Sequence, residues 1–143
     1  MLGTEAIEIT GTLSPDGQWL AYASDVSGRY EVYVQRFPEG AGKRQVSTGS
    51  GCSPRWRRDG REVFYYTSDG KLMAAPVRVR SVQSFEIGAA VSLFGFRAGI
   101  LSVNFASYAV TVDGQRFLIN AVVDVEPSAP LTVVVNWAAD LKK

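Results

Sequence analysis

One short segment occurs three times in this chain, at residues 13–22, 57–65 and 111–119. Each copy contains an Asp-Gly pair, then two polar or amphipathic residues, and then three apolar residues. Aspartate can accept hydrogen bonds from the backbone of its own turn, and glycine can adopt the positive φ that closes the turn. The segment therefore predicts a tight turn between the end of one β-strand and the start of the next.

The spacing of the three turns predicts a repeat architecture. Asp16 and Asp59 are 43 residues apart, and Asp59 and Asp113 are 54 residues apart. Self-similar β units of about 40 to 50 residues are typical of propeller blades, each of which is a four-stranded sheet. Apolar and polar residues alternate with a period of two, and no segment keeps a helical period. We therefore predict an all-β fold, a partial β-propeller of about three four-stranded antiparallel blades with an incomplete last blade.

We expect a single domain over residues 1–143, with blades at about 5–48, 52–94 and 104–137. In the second blade, residues 85–94 are predicted to form one fourth strand with a bulge at Gly88. Pro76 should leave the preceding strand, residues 72–80, poorly paired on one side, because proline has no N–H to donate. In the third blade a fourth strand is missing, and residues 131–137 are expected to form the third strand.

Three blades are too few to close a ring, since closed propellers typically have about four to eight. Each blade buries its faces against its neighbours, so a stack of three exposes two apolar faces and a sheet edge. The sequence leaves three solutions open. The chain belongs to a longer polypeptide, or copies associate into a ring of about six blades, or the N-terminal strand at residues 5–13 completes the third blade. We expect a homo-oligomer if the chain is expressed alone.

The composition excludes several kinds of active site. The sequence contains no histidine and a single cysteine, Cys52. Ser-His-Asp and Cys-His nucleophiles therefore cannot form, nor can histidine or thiolate zinc sites. The loop carboxylates Asp25 and Asp124 lack the Asp-x-Asp-x-Asp-Gly spacing of a calcium loop. We expect no catalytic residue, no cofactor and no metal site, and hence a protein that is not an enzyme.

One cluster combines basic and aromatic side chains, and it is the candidate binding rim: Arg55, Trp56, Arg57, Arg58 and Arg61. Cations beside stacking aromatic rings can contact nucleic acid. However, Trp56 lies in a period-two strand, where an aromatic residue usually packs in the core, and the net charge of the chain is only +1. We therefore expect a surface for a protein or peptide, or a purely structural cluster, and no binding of nucleic acid.

Longer combinations of residues resemble known repeats. The segments Ser14-Pro15-Asp16-Gly17, 19–22 and 31–34 resemble the TolB-type, WD-like β-propeller repeat. Residues 30–38, 54–60 and 134–137 together resemble the C-terminal propeller region of bacterial membrane-anchored serine/threonine protein kinases. The resemblance implies a sensory or protein-binding propeller on the extracytoplasmic side of the membrane. This sequence has no apolar run of about 18 residues that would span a membrane, and no kinase motif.

Two other functions stay open at this point. Prolyl-oligopeptidase-like serine hydrolases also carry such repeats, so the chain is alternatively a fragment of their propeller lid. Such an enzyme needs a Gly-x-Ser-x-Gly nucleophile segment, which this sequence does not contain. The other alternative is an oligomeric scaffold that stands alone.

Overall fold

The computed structural model describes residues 6–81, 84–98 and 108–122, together with the backbone of residues 132–134. Within these residues the chain forms twelve β-strands in three antiparallel sheets and no helix. The predicted all-β class is therefore confirmed. No helix in the described part of the chain is long and apolar enough to cross a bilayer.

The first sheet contains four strands in sequence order: β1 (Glu8–Leu13), β2 (Trp19–Ser24), β3 (Glu31–Arg36) and β4 (Arg44–Gln45). β1 pairs with β2 across the first Asp-Gly turn, with Leu13 opposite Leu20. That turn is too short for β1 to reach another sheet. The option that the N-terminal strand completes the third sheet is therefore wrong.

The second sheet contains five strands: β5 (Cys52–Trp56), β6 (Glu62–Tyr66), β7 (Lys71–Ser81), β8 (Ser84–Ile87) and β9 (Val91–Gly95). The single fourth strand predicted over residues 85–94 is divided into β8 and β9, which follow one another along the same edge of β7. The division lies opposite Pro76, whose carbonyl oxygen accepts a 2.8 Å hydrogen bond from Gly88 N. Because Pro76 has no N–H to return this bond, the pairing stops there and resumes at Val91.

The third sheet contains three strands in the described residues: β10 (Tyr108–Val110), β11 (Phe117–Ile119) and β12 (Thr132–Val134). Phe117 pairs with Val110 on one side and with Val134 on the other. Residues 104–107, 123–131 and 135–137 of the predicted third blade lie outside the described residues.

The second sheet is buried on both faces. Along β6, Val63 and Tyr65 belong to a core with the first sheet, whereas Phe64 and Tyr66 belong to a core with the third sheet. All four side chains are buried, and burying one such side chain stabilises the fold by about 1.5–3 kcal/mol. Sheets that stack face to face in chain order form a partial β-propeller, as the sequence predicts.

Two side-chain hydrogen bonds join the first strands of neighbouring sheets, one between the first and second sheets and one between the second and third. Trp56 Nε1 donates to the carbonyl oxygen of Thr12, at 3.2 Å, and the Tyr108 hydroxyl donates to that of Ser53, at 2.8 Å. β1 and β5 both carry a bulge at a residue with positive φ, Thr10 at 54° and Ser53 at 50°. Each of these residues lies six positions before its Asp-Gly aspartate, so the bulge recurs at the same position of the first two repeats.

Candidate functional site

The Asp-Gly turns of the three repeated segments have the same geometry. In each, the glycine N–H donates to the carbonyl oxygen three residues earlier, at 2.8–2.9 Å, and the glycine φ is 70–71°. Each aspartate Oδ1 accepts a hydrogen bond from the backbone N–H two residues later, at 3.0–3.1 Å. The aspartates therefore hold their own turns, which is the structural role predicted from the sequence.

The residue that opens each turn adds a second interaction with the aspartate. The Ser14 hydroxyl donates to Asp16 Oδ1 at 2.5 Å, and Thr111 donates to Asp113 in the same way. These hydrogen bonds are the main reason why the pKa values of the Asp16 and Asp113 carboxyls are lowered. In the second turn the guanidinium of Arg57 replaces the hydroxyl and lies 3.2 Å from Asp59 Oδ2.

Neighbouring turns contact one another at one end of the stack. A Cβ built on Gly60 would lie 3.8 Å from Pro15 Cδ of the first turn. A Cβ built on Gly114 would lie 3.0 Å from Arg57 Cδ of the second turn. The turns of the first, second and third sheets therefore line this end in chain order.

The predicted rim does not form one continuous surface. Arg55 and Trp56 point to opposite faces of β5: Arg55 bonds to its neighbour Pro54 and lies 5.8 Å from the Tyr108 ring. Trp56 is only 8% exposed, in the core between the first and second sheets.

The other three arginines of the rim lie at the second turn and differ in their partners. Arg57 pairs with Asp59 and also with Glu62, at 3.1 Å, so its charge is already compensated. Arg58 and Arg61 are exposed. Of the five predicted residues, Trp56 and Arg58 line one common pocket.

This pocket, the turn cleft, lies between the first and second Asp-Gly turns and has a volume of about 130 Å³. It is lined by the aromatic side chains of Trp19 and Trp56, by Val79, by the charged residues Arg58, Asp16 and Asp59, and by Ser14, Pro15 and Gly60. The cleft therefore combines aromatic surface with charges of both signs.

Trp19 is held in the turn cleft by side chains of both the first and the second sheet. Phe85 of β8 contacts its ring edge-on, with 4.5 Å between the ring centroids, and the guanidinium of Arg36 lies 5.7 Å from the ring centroid. Trp19 Nε1 is buried and makes no hydrogen bond within the described residues. An aromatic residue in a period-two strand is expected to pack in the core, and Trp19 is such a residue. The sequence signal for the cleft is the position of each tryptophan relative to its turn. Trp19 lies three residues after Asp16, and Trp56 lies three residues before Asp59. Both tryptophans are therefore next to a turn, and they meet where the two turns are adjacent.

No group of three or more metal-ligating side chains occurs in the described ranges. Asp25 Oδ1 accepts a 2.8 Å hydrogen bond from Ile7 N. Asp124, the other loop carboxylate considered for calcium, lies outside the described residues.

The chain has similarity to known proteins at the level of structure. No family model matches it, and no curated protein sequence matches it. Among solved structures, an oligogalacturonate lyase from Vibrio parahaemolyticus matches with a TM-score of 0.59 and 16% sequence identity. The match covers 82% of this chain but only 30% of the lyase chain. At this identity the likeness concerns the fold alone, and it supports a β-propeller that is partial here.

Proposed function

We propose that this chain is a non-catalytic β-propeller module that binds a protein or peptide ligand at the turn cleft. The size of the cleft carries the proposal. Its volume is about 130 Å³. Small-molecule sites usually measure about 300–1,000 Å³. The cleft therefore suits one side chain of a larger partner better than a whole small molecule.

The chemistry of the cleft supports the same kind of partner. Tryptophan and arginine are the residue types that most often dominate protein–protein binding energy. Arg58 is exposed and makes no ion pair within the described residues, so its guanidinium is available to a carboxylate of a partner. Asp16 and Asp59 are already engaged in their own turns. We therefore expect ligands in which an apolar or aromatic residue lies next to an acidic one.

The larger protein is proposed from the sequence resemblance. The TolB-type repeats and the C-terminal segment favour the sensor part of a bacterial membrane-anchored serine/threonine kinase, with the propeller on the extracytoplasmic side. The coding sequence around this chain separates the alternatives. A kinase domain and a membrane-spanning helix upstream would support the sensor, whereas an α/β-hydrolase domain would assign the chain to a peptidase lid.

The third sheet supports association with further blades. Leu118 follows Asp113 by five residues, as Phe64 follows Asp59. Phe64 is fully buried against Phe117 of the next sheet, whereas Leu118 is 42% exposed. The face that carries Leu118 therefore matches a face that is covered within this chain. We expect it to be covered by another blade, from the same polypeptide or from a second copy.

Peptide display on the purified chain tests the binding proposal. The immobilised chain is used to select peptides, whose affinities are then measured for the wild type, for Arg58→Glu and for Arg116→Glu. Arg116 is the matched control, because it is an exposed arginine beside the third Asp-Gly turn. We expect Arg58→Glu to weaken binding about tenfold or more and Arg116→Glu to leave it unchanged. Selection of no shared sequence, or equal binding by both variants, would exclude the turn cleft as the site.

A further inference from the structure

A second and larger cleft lies at the opposite end of the sheets and does not depend on the proposed function. Consecutive strands are antiparallel, so the loops at residues 25–30 and 46–51 lie at the end away from the Asp-Gly turns of β1–β2 and β5–β6. Together with Ser68 these loops enclose a cleft of about 350 Å³, which we call the connector cleft. This volume lies within the usual range of small-molecule sites, about 300–1,000 Å³.

A buried carboxylate holds the connector cleft in shape. Glu31 is 1% exposed and accepts hydrogen bonds from Arg29 Nε at 3.1 Å, from Gly49 N at 3.0 Å and from the Ser47 hydroxyl. The Ser47 oxygen in turn accepts a 2.8 Å hydrogen bond from Val32 N. Because a buried charge is tolerated only when its hydrogen bonds are made, this network fixes both loops. Arg29 is thereby held at the edge of the cleft, with its side chain 66% exposed.

The loop at residues 46–51 is closely packed and is tied to Ser68 of the second sheet. A Cβ built on Gly51 would lie 2.6 Å from Ser47 Cβ, so no side chain can be accommodated at that position. Ser50 accepts a hydrogen bond from Ser68 N at 2.9 Å, and the two hydroxyls lie 2.9 Å apart. The cleft is therefore formed before any ligand arrives.

Two opposite charges line this cleft without contacting each other. Arg29 uses Nε to bind Glu31, and its two Nη groups make no bond within the described residues. The paired N–H groups of a guanidinium match the two oxygens of a carboxylate. Asp25 uses Oδ1 to bind Ile7 N, and within the same residues Oδ2 has no partner. That oxygen can accept from an ammonium group.

We infer that the connector cleft binds a zwitterionic α-amino acid with an apolar side chain. The carboxylate of the ligand pairs with Arg29 and its ammonium pairs with Asp25. The half-buried Tyr30 and the buried Cys52 also line the cleft and provide the less polar surface for the side chain. A ligand with only one of the two charges would leave the other protein charge without a partner.

Calorimetry with three probes of similar shape tests this inference. L-Leucine carries both charges, 3-methylbutylamine lacks the carboxylate, and 4-methylpentanoate lacks the ammonium. We expect the wild-type chain to bind leucine about tenfold or more tightly than either single-charge probe. The dipeptide glycyl-leucine distinguishes a free amino acid from peptide ends, and we expect it to bind more weakly than leucine.

Two variants assign the charges. Arg29→Gln should weaken leucine binding about tenfold and leave binding of 3-methylbutylamine unchanged. Asp25→Asn should weaken leucine binding and leave binding of 4-methylpentanoate unchanged. The amide in Asp25→Asn keeps an oxygen that can accept from Ile7 N. Arg44→Gln and Glu39→Gln are controls at exposed positions of the same sheet. If loss of the Glu31 partner unfolds Arg29→Gln, Arg29→Lys keeps the charge but not the paired N–H groups and should still weaken leucine binding.

Several outcomes would overturn the inference. One is that the wild type binds no leucine up to about 10 mM, which corresponds to a binding free energy of less than about 3 kcal/mol. Another is that the three probes bind equally tightly, or that the dipeptide binds more tightly than leucine. The last is that leucine binding is unchanged in both charge variants. The peptide-display result at the turn cleft is independent of each of these outcomes.

Discussion

The Tyr108 hydroxyl donates a 2.8 Å hydrogen bond to the carbonyl oxygen of Ser53, and this bond joins the third sheet to the bulge in the second. Trp56 makes the corresponding link from the second sheet to Thr12 in the first. Both donors belong to buried aromatic side chains, so each link combines apolar contact with a directional bond. The sheets are thereby held in a defined register as well as pressed together.

The Tyr108 link can be tested by removing a single oxygen atom. Tyr108→Phe keeps the ring in place but leaves the Ser53 carbonyl without this donor. We expect the free energy of unfolding to fall by about 0.5–1.5 kcal/mol, the usual net contribution of one intramolecular hydrogen bond. Urea unfolding measures it, and Tyr30→Phe, at a half-buried position, is the control with an expected change below about 0.5 kcal/mol. Equal stability of the two variants would show that the link contributes nothing.

Phe64 and Leu118 occupy equivalent positions in adjacent sheets but differ in exposure, at 0% and 42%. Phe64→Ala should destabilise the fold by about 3–5 kcal/mol because it leaves a cavity against Phe117. Leu118→Ala should cost about 0.5 kcal/mol in the monomer, since its face is open. Thermal unfolding at low protein concentration compares the stability of the two variants with that of the wild type. A large loss for Leu118→Ala under those conditions would contradict the open face.

Alkaline pH should destabilise the fold through buried tyrosines, among them Tyr22 and Tyr65. Burial, with a smaller contribution from nearby acidic side chains, raises the pKa values of Tyr22 and Tyr65 to about 12. A tyrosine is neutral below its pKa, so this contribution to stability is complete below the unfolded pKa of about 10. It is lost progressively as the pH rises from about 10 to 12.

Urea unfolding between about pH 9 and pH 11 measures this loss. Tyr65→Phe should flatten part of the pH dependence, because phenylalanine has no proton to lose. A free energy of unfolding that stays constant across that range in the wild type would contradict the prediction.

The open face of the third sheet predicts association of the purified chain. Light scattering should give a mass that increases with protein concentration, and Leu118→Glu should lower it because a charge on this face opposes apolar contact. Val112→Glu is the control, since Val112 is 64% exposed but lies in a turn rather than on the sheet face. A monomer mass at all concentrations, or the same effect from both variants, would contradict this prediction.

The local features of the fold could be predicted from the sequence, because they depend on neighbouring residues. The Asp-Gly turns and the central strands follow from turn chemistry and from a period of two. The turn cleft follows from the sequence only when the positions of Trp19 and Trp56 relative to their turns are combined with the way that two sheets stack. A period of two places Glu31 on the polar side of its strand, yet it is buried. Its burial depends on the loop at residues 46–51, which comes only after β4.

The contact between Arg57 and Gly114 couples the second turn to the third. Gly114 Cα approaches the second turn so closely that even a methyl group would lie 3.0 Å from Arg57 Cδ. A side chain at position 114 would therefore have to displace the Arg57 side chain, which also pairs with Asp59 and Glu62. The ion pairs of one repeat thus depend on the absence of a side chain in the next, so neighbouring repeats cannot change independently at these positions.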